Sequence, residues 1–176
     1  MQHDDKRAPR ERREAYMSAH DYRFVANDGG DLPLSAWRGH PVLVVNTASF
    51  CGYTPQYEGL ETLWRSRRDR GLIVLGVPSN DFGAQEPGSD AEIKAFCANY
   101  HVSFPLTRKV NVTGKEAHPF YRWLADELGE RGVPRWNFHK YLIDGEGRAA
   151  GAWPSSTGPQ SKEIAAAIDA LLPARS

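Results

Sequence analysis

VLVVNTASFCGYTPQY, from Val42 to Tyr57, passes from an apolar strand through a turn-rich loop into a helix, and the loop carries Cys51. Leu43, Val44 and Val45 form a short apolar run of the kind found in a strand covered on both faces. Residues Asn46 to Phe50 break that run. Thr54 followed by Pro55 is a helix-start signal, with Thr54 as N-cap and Pro55 at the first helical position. The spacing predicts Cys51 within about one turn of a helix N-terminus, where free N–H groups and the macrodipole favour an anion.

Only the thiolate of a cysteine is a strong nucleophile. At a reference pKa of about 8.5, roughly 3% is ionised at pH 7, and a pKa of about 6 needs ~3.4 kcal/mol of differential stabilisation. A helix end supplies ~0.3–1 kcal/mol, up to ~2 in favourable sites. An activated Cys51 therefore requires further hydrogen-bond donors from elsewhere in the chain. On the loop alone, Cys51 reads equally as such a nucleophile or as a small buried hydrophobe.

Working outward, 176 residues suit one domain with a full-sized core. Hydrophobic residues at 40% and charged residues at 25% are ordinary for a globular protein. Lys+Arg and Asp+Glu both number 22, which points away from nucleic acid or a polyanionic substrate. No apolar run approaches the roughly 20 residues of a membrane span. Two cysteines are too few for a disulfide framework, and the six histidines lack metal-site spacing, so no metal is expected. Two unsequestered thiols fit a reducing cytosol, and a cytoplasmic location is expected. The charged stretch of residues 1–20 lacks an apolar signal core and reads as a floppy leader, with Met17 as an alternative start. Residues 21–173 then form the single domain.

Tyr22–Val25 and Leu32–Leu34 flank Asn27-Asp-Gly-Gly30, a hairpin signal. Tyr57–Arg70 reads as the helix after Cys51, and its arginines 65, 67, 68 and 70 read as a solvated C-terminus closed by Gly71. Leu72–Val77 is a second buried strand. Ser89 and Glu92 resemble a capping box opening a helix to about Tyr100. Phe104–Leu106 reads as extended and His118–Leu128 as a helix. Phe138–Ile143 and Arg148–Trp153 form a second hairpin, and Ser161–Leu172 an amphipathic helix with Ile164, Ile168, Leu171 and Leu172 on one face. This order predicts an α/β fold with a central mixed sheet flanked by helices. Asn111-Val-Thr113 matches a glycosylation sequon and reads as chance.

Three stretches together carry a family resemblance. Asn46 to Tyr57 resembles the peroxidatic loop of the glutathione peroxidase family, Leu75 to Gly88 (LGVPSNDFGAQEPG) its second motif, and Trp136-Asn-Phe138 its third. The likeness runs from about Tyr22 to Leu172 with the motifs in order. It implies a thioredoxin-like fold and a catalytic tetrad of Cys51, Gln85, Trp136 and Asn137. The amides and the indole N–H are donors able to stabilise a thiolate. The implied chemistry is reduction of H2O2 and organic or lipid hydroperoxides through a Cys51 sulfenic acid.

Cys97 matches the resolving cysteine of the family's thioredoxin-dependent members, although Ile93, Phe96, Cys97 and Tyr100 share one helical face and also read as core. A Cys51–Cys97 disulfide needs Cα atoms about 4.4–6.8 Å apart, so residues from about Asp90 to Tyr100 are expected to unwind. Thioredoxin is the expected reductant, with no further cofactor. A one-cysteine peroxidase using glutathione, and a peroxide sensor passing its disulfide to a partner protein, are the alternatives.

The chain also departs from the family pattern. Ser79 stands where the family commonly has Cys, and Asp81 where it has Gln, a charge that opposes the thiolate if it points inward. The segment Leu128–Arg135 lacks the insertion of vertebrate tetramers, which implies a monomer with an open site. A peroxiredoxin signature would need Pro and Thr where Val44 and Ala48 stand, and a dithiol CxxC would need a second Cys at Thr54.

Overall fold

A computed structural model describes residues 17–173. Most of the charged leader, residues 1–16, lies outside the described residues. The described fold begins at Ser18, whose hydroxyl and partner Asp21 form a capping box around a short turn that buries Ala19.

The elements in chain order are β1 (Arg23–Val25), β2 (Asp31–Pro33), β3 (Val42–Thr47), α1 (Gln56–Arg67), β4 (Ile73–Pro78), α2 (Asp90–Ala98), α3 (Pro119–Leu128), β5 (Lys140–Ile143), β6 (Ala149–Trp153) and α4 (Lys162–Leu171). The β1–β2 hairpin stands apart as its own two-stranded sheet. The central sheet has the order β4-β3-β5-β6, parallel between β3 and β4 and antiparallel at its other two pairings.

All six residues of β3 are buried. Because side chains alternate along a strand, Leu43 and Val45 enter a core completed by α1, α2 and α4. Val42 and Val44 enter a second core against α3 and the N-terminal hairpin. Fully burying each such side chain contributes about 1.5–3 kcal/mol, which makes β3 the anchor of both layers. The extended segment around Leu106 runs alongside β4, with the Gly76 amide donating to Pro105 O at 3.0 Å and the Thr107 amide to Gly76 O at 2.9 Å. Glycine suits that approach, since a Cβ on Gly76 would sit 2.6 Å from a Leu106 methyl and 3.1 Å from the Phe104 ring.

Sheet polarity assembles the site. Parallel β3 and β4 end on the same edge, and antiparallel β5 begins there. The loops after Thr47 and Pro78 and the residues before Lys140 therefore share one end of the sheet.

Two expectations need correction. Arg67 and Arg70 are not a solvated terminus: both pair with Asp169 of α4, and Arg70 also donates to Pro173 O. Leu171 is partly exposed while Leu172 is buried, because α4 turns its apolar stripe through Ile164 and Ile168.

Candidate active site

The loop after β3 is closed by Thr54. Its hydroxyl donates to Ala48 O at 2.9 Å and accepts from the Cys51 amide at 2.9 Å. Thr54 is therefore not the expected N-cap: its side chain bonds backward into the loop. The chain enters α1 through successive three-residue turns, with the Thr54 amide donating to Cys51 O and the Gln56 amide to Tyr53 O. Cys51 is held at the head of these turns, where the Tyr53 amide donates to its Sγ at 3.3 Å. This is the donor-rich setting expected for the start of a helix, reached by a different local device. Cys51 is 9% exposed, between Phe50 at 64% and Tyr53 at 37%.

The second motif turns back under this loop. Gly83 and Ala84 both adopt positive φ, of 65° and 49°. Glycine is the residue that fits at 83, where a Cβ would lie 3.0 Å from the Trp136 ring. The turn delivers Gln85, whose backbone oxygen accepts from the Phe50 amide at 3.0 Å. Lys109 clamps the far side by donating to Glu86 O at 3.2 Å and Gly88 O at 2.7 Å.

The third motif is tied to β3 over a long sequence distance. Asn46 Nδ2 donates to Trp136 O at 2.9 Å, and the Phe138 amide to Asn46 O at 2.6 Å. The turn brings Asn137 Nδ2 to Gln85 Oε1 at 2.9 Å. With its oxygen occupied, the Gln85 amide retains N–H groups for another acceptor. Trp136 packs on Phe82, their ring centroids 5.8 Å apart, and against the core cluster that includes Cys51.

The structure thus brings Gln85 and Asn137 into contact, with Trp136 beside them, at the loop carrying Cys51. Among the described residues, however, the hydrogen-bond donor to Sγ is the main-chain amide of Tyr53 rather than any of these three side chains. Nothing in the sequence points to Tyr53 and Thr54 for these roles. A main-chain donor carries no sequence signal, and the Thr-Pro pair points to capping.

Cys97 is 2% exposed in α2 and belongs to the same core cluster as Cys51. Burial pushes its thiol up to about 11, opposed by the Tyr57 hydroxyl and reinforced by the charge of Glu86. The residues beside the two cysteines meet directly, the Phe50 and Phe96 rings lying 6.0 Å apart.

Asp81 does not turn on the thiol. Its Oδ2 accepts from the amides of Val112 and Thr113 at 2.7 and 3.1 Å and from the Thr113 hydroxyl at 3.3 Å. Ser79 is buried and extends the sheet, its amide donating to Thr47 O. Among the described residues no cluster of three His, Cys, Asp or Glu is placed to hold a metal, and no helix is long and apolar enough to cross a membrane.

A family model described as glutathione peroxidase matches residues 19–125. The glutathione peroxidase-like peroxiredoxin gpx1 of Schizosaccharomyces pombe is 48% identical, over 77% of this chain and 88% of its own length. The hydroperoxy fatty acid reductase gpx1 of a Synechocystis strain is 44% identical, over 86% and 95%. Among solved structures, Trgpx in apo form superposes with a TM-score of 0.70 at 36% identity, covering 88% of this chain and 97% of its own. A thioredoxin family protein of Chlorobium tepidum superposes with a TM-score of 0.60 at 17% identity, over 85% and 92%, a likeness of fold alone.

Proposed function

The chain belongs to the glutathione peroxidase family, with a thioredoxin-like fold and the activity of a peroxidase that consumes hydroperoxides at the expense of a reductant, and from that premise we propose a two-cysteine mechanism for it. The Cys51 thiolate attacks the distal oxygen of the hydroperoxide, alcohol or water leaves, and a sulfenic acid forms on Cys51. Gln85, Trp136 and Asn137 act as the donors that stabilise the thiolate and orient the peroxide. The Cys97 thiol then attacks the sulfenic sulfur, water leaves, and thioredoxin reduces the resulting disulfide.

The observation that carries this reading is the meeting of three distant motifs at one end of the sheet: Phe50 bonded to Gln85, Gln85 to Asn137, and Asn46 to Trp136. The exposed Phe50 and Tyr53 supply an apolar rim suited to lipid hydroperoxides. A relative named for hydroperoxy fatty acids supports that choice of substrate. Residues 21–173 act as one peroxidase domain, and we place it in the cytoplasm as a monomer.

A second reading draws support from the burial of Cys97 in α2 and its raised thiol pKa. Here Cys97 stays in the core and glutathione reduces the sulfenic acid directly. One experiment separates the two: intact mass and free-thiol count after one equivalent of hydroperoxide, then NADPH consumption with thioredoxin and its reductase. Loss of both thiols with a mass drop of about two hydrogens, reversed by thioredoxin, is the expected result. A gain of one oxygen with Cys97 still free would establish the one-cysteine route. On the two-cysteine route, hydrogen exchange across residues 90–100 rises on oxidation as α2 unwinds.

A further inference from the structure

The turn that presents Asn137 contains two departures from ordinary protein structure. Phe138 adopts φ 64°, a left-handed conformation that is an outlier for a bulky side chain. Two residues on, Lys140 is fully buried at the head of β5, opposite Val45 in the register. Lysine is almost never fully buried without a charged partner. Here the Nζ donates at 2.7 Å to Phe138 O and at 3.2 Å to Ser155 O, and among the described residues no carboxylate pairs with it. Such a group is costly to bury and contributes little to stability, so its presence calls for a role.

The bonds around it supply one. Ser155 lies just beyond β6 and is itself buried. Its hydroxyl donates to Asn137 O, and its own carbonyl accepts from Gln56 Nε2 at 2.9 Å as well as from Lys140. Gln56 opens α1, the helix that follows Cys51. A continuous path therefore runs from the first turn of α1 through Ser155 to Lys140, Phe138 and Asn137, and on through Asn137 Nδ2 to Gln85. The start of α1 and the turn that carries the amide donors are thus joined through the Ser155 carbonyl and one buried amine.

We propose that Lys140, seconded by Ser155, is a positioning residue for peroxide reduction: its Nζ holds the strained Asn137–Phe138 turn in register with the start of α1, so that the amide donors face Cys51. Burial also brings the Lys140 amine down to about pH 7. Two acceptors match the two hydrogens of a neutral amine, so the brace survives loss of the third proton. Arg135 and the His139 ring are the charged or titratable neighbours just before β5, and burial first, then the Lys140 and Arg135 charges, hold the His139 pKa down. The inference rests on the tetrad reading given above.

The test uses the full chain with Lys140→Met, Ser155→Ala and Asn137→Ala. It measures single-turnover peroxide reduction, the Cys51 pKa from the pH dependence of thiolate absorbance, and thermal unfolding. Lys140→Met is expected to slow the peroxide step by about 10–100-fold, the scale of a misplaced catalytic group, and to raise the Cys51 pKa. At the same time its melting temperature holds or rises, because an unpaired buried amine has been replaced by an apolar chain of similar length. Ser155→Ala is expected to shift rate and pKa in the same direction by less. A structural role would instead lower the melting temperature and leave the Cys51 pKa unchanged. An unchanged rate and pKa in folded Lys140→Met, or in Ser155→Ala if Lys140→Met does not fold, overturns the inference. If Asn137→Ala is also silent, the tetrad reading fails first; if Asn137→Ala is slow and Lys140→Met is not, only the brace fails.

Discussion

The two cysteines share one hydrophobic cluster, yet they stand in opposite chemical settings. Cys51 occupies a turn whose amides are not consumed by helix bonding, and one of them, from Tyr53, donates to its sulfur. Cys97 lies in α2, where main-chain groups are spent on the helix, and burial holds its thiol near 11. Their side-chain surroundings are alike, with Phe50 on one side and Phe96 on the other in contact. The difference is in the backbone. Turns leave N–H groups free and helix interiors do not, so on the proposed mechanism one thiol acts where it stands and the other needs the fold to open.

Replacing either cysteine breaks this comparison most severely. Cys51→Ser is expected to reduce peroxide consumption by about three orders of magnitude or more, with little change in melting temperature. Measurable residual turnover dependent on Cys97 would reverse the assignment of the two thiols. Cys97→Ser is expected to leave the first turnover near its normal rate while cutting thioredoxin-supported steady-state turnover by about 100-fold. Retention of that turnover would place Cys97 in the core alone.

Smaller effects sharpen the contrast. Gln85→Ala removes one proposed donor and is expected to slow the first oxidation by about 10–100-fold while leaving the reactivity of Cys97 in unfolded protein unchanged. Stability should also depend on pH through His139, whose ring is held down to about 4 by burial first and by Lys140 and Arg135 next. Between pH 6.5 and about 4 the unfolded chain binds a proton that the folded chain refuses. Stability therefore falls as pH drops through that window, by up to about 3 kcal/mol. Denaturant unfolding at intervals of pH tests this, and His139→Gln should flatten the slope. Asp169→Asn loosens the Arg67 and Arg70 contacts. These groups are partly exposed, so the loss is about 0.5–1 kcal/mol with both thiol reactivities unchanged.

What the sequence announced was what short-range chemistry decides. The apolar run of β3, the Ser89–Glu92 capping box and the two hairpins are local patterns, and the structure contains them where expected. Thr54-Pro55 shows how a local signal is overridden: the hydroxyl suited to capping found better partners in Ala48 O and the Cys51 amide. The direction of Asp81 depended on where residues 112 and 113 travel, which no neighbouring residue encodes. Lys140 gives no sequence signal of this role, because lysine in a strand ordinarily marks the solvent side. Its flanks, Phe138 and the apolar Tyr141 and Leu142, were the available hint of burial. Ser155 carries no pattern at all, since its partners, Asn137 O, Gln56 Nε2 and Lys140 Nζ, come from segments distant in sequence.

The ties between Asn46 and residues 136–138 span some 90 positions, and this has a consequence for the birth of the protein. Synthesis delivers Cys51 long before Trp136, Asn137 and Lys140 emerge. With the proposed donors absent, the nascent chain carries an ordinary thiol, mostly protonated at neutral pH. Loop closure over that distance is the slow part of building such a site. On the proposed tetrad, reactivity toward peroxide is thus acquired as the last stretch of the sheet closes, and a chain still on the ribosome is spared the oxidation proposed for its finished form.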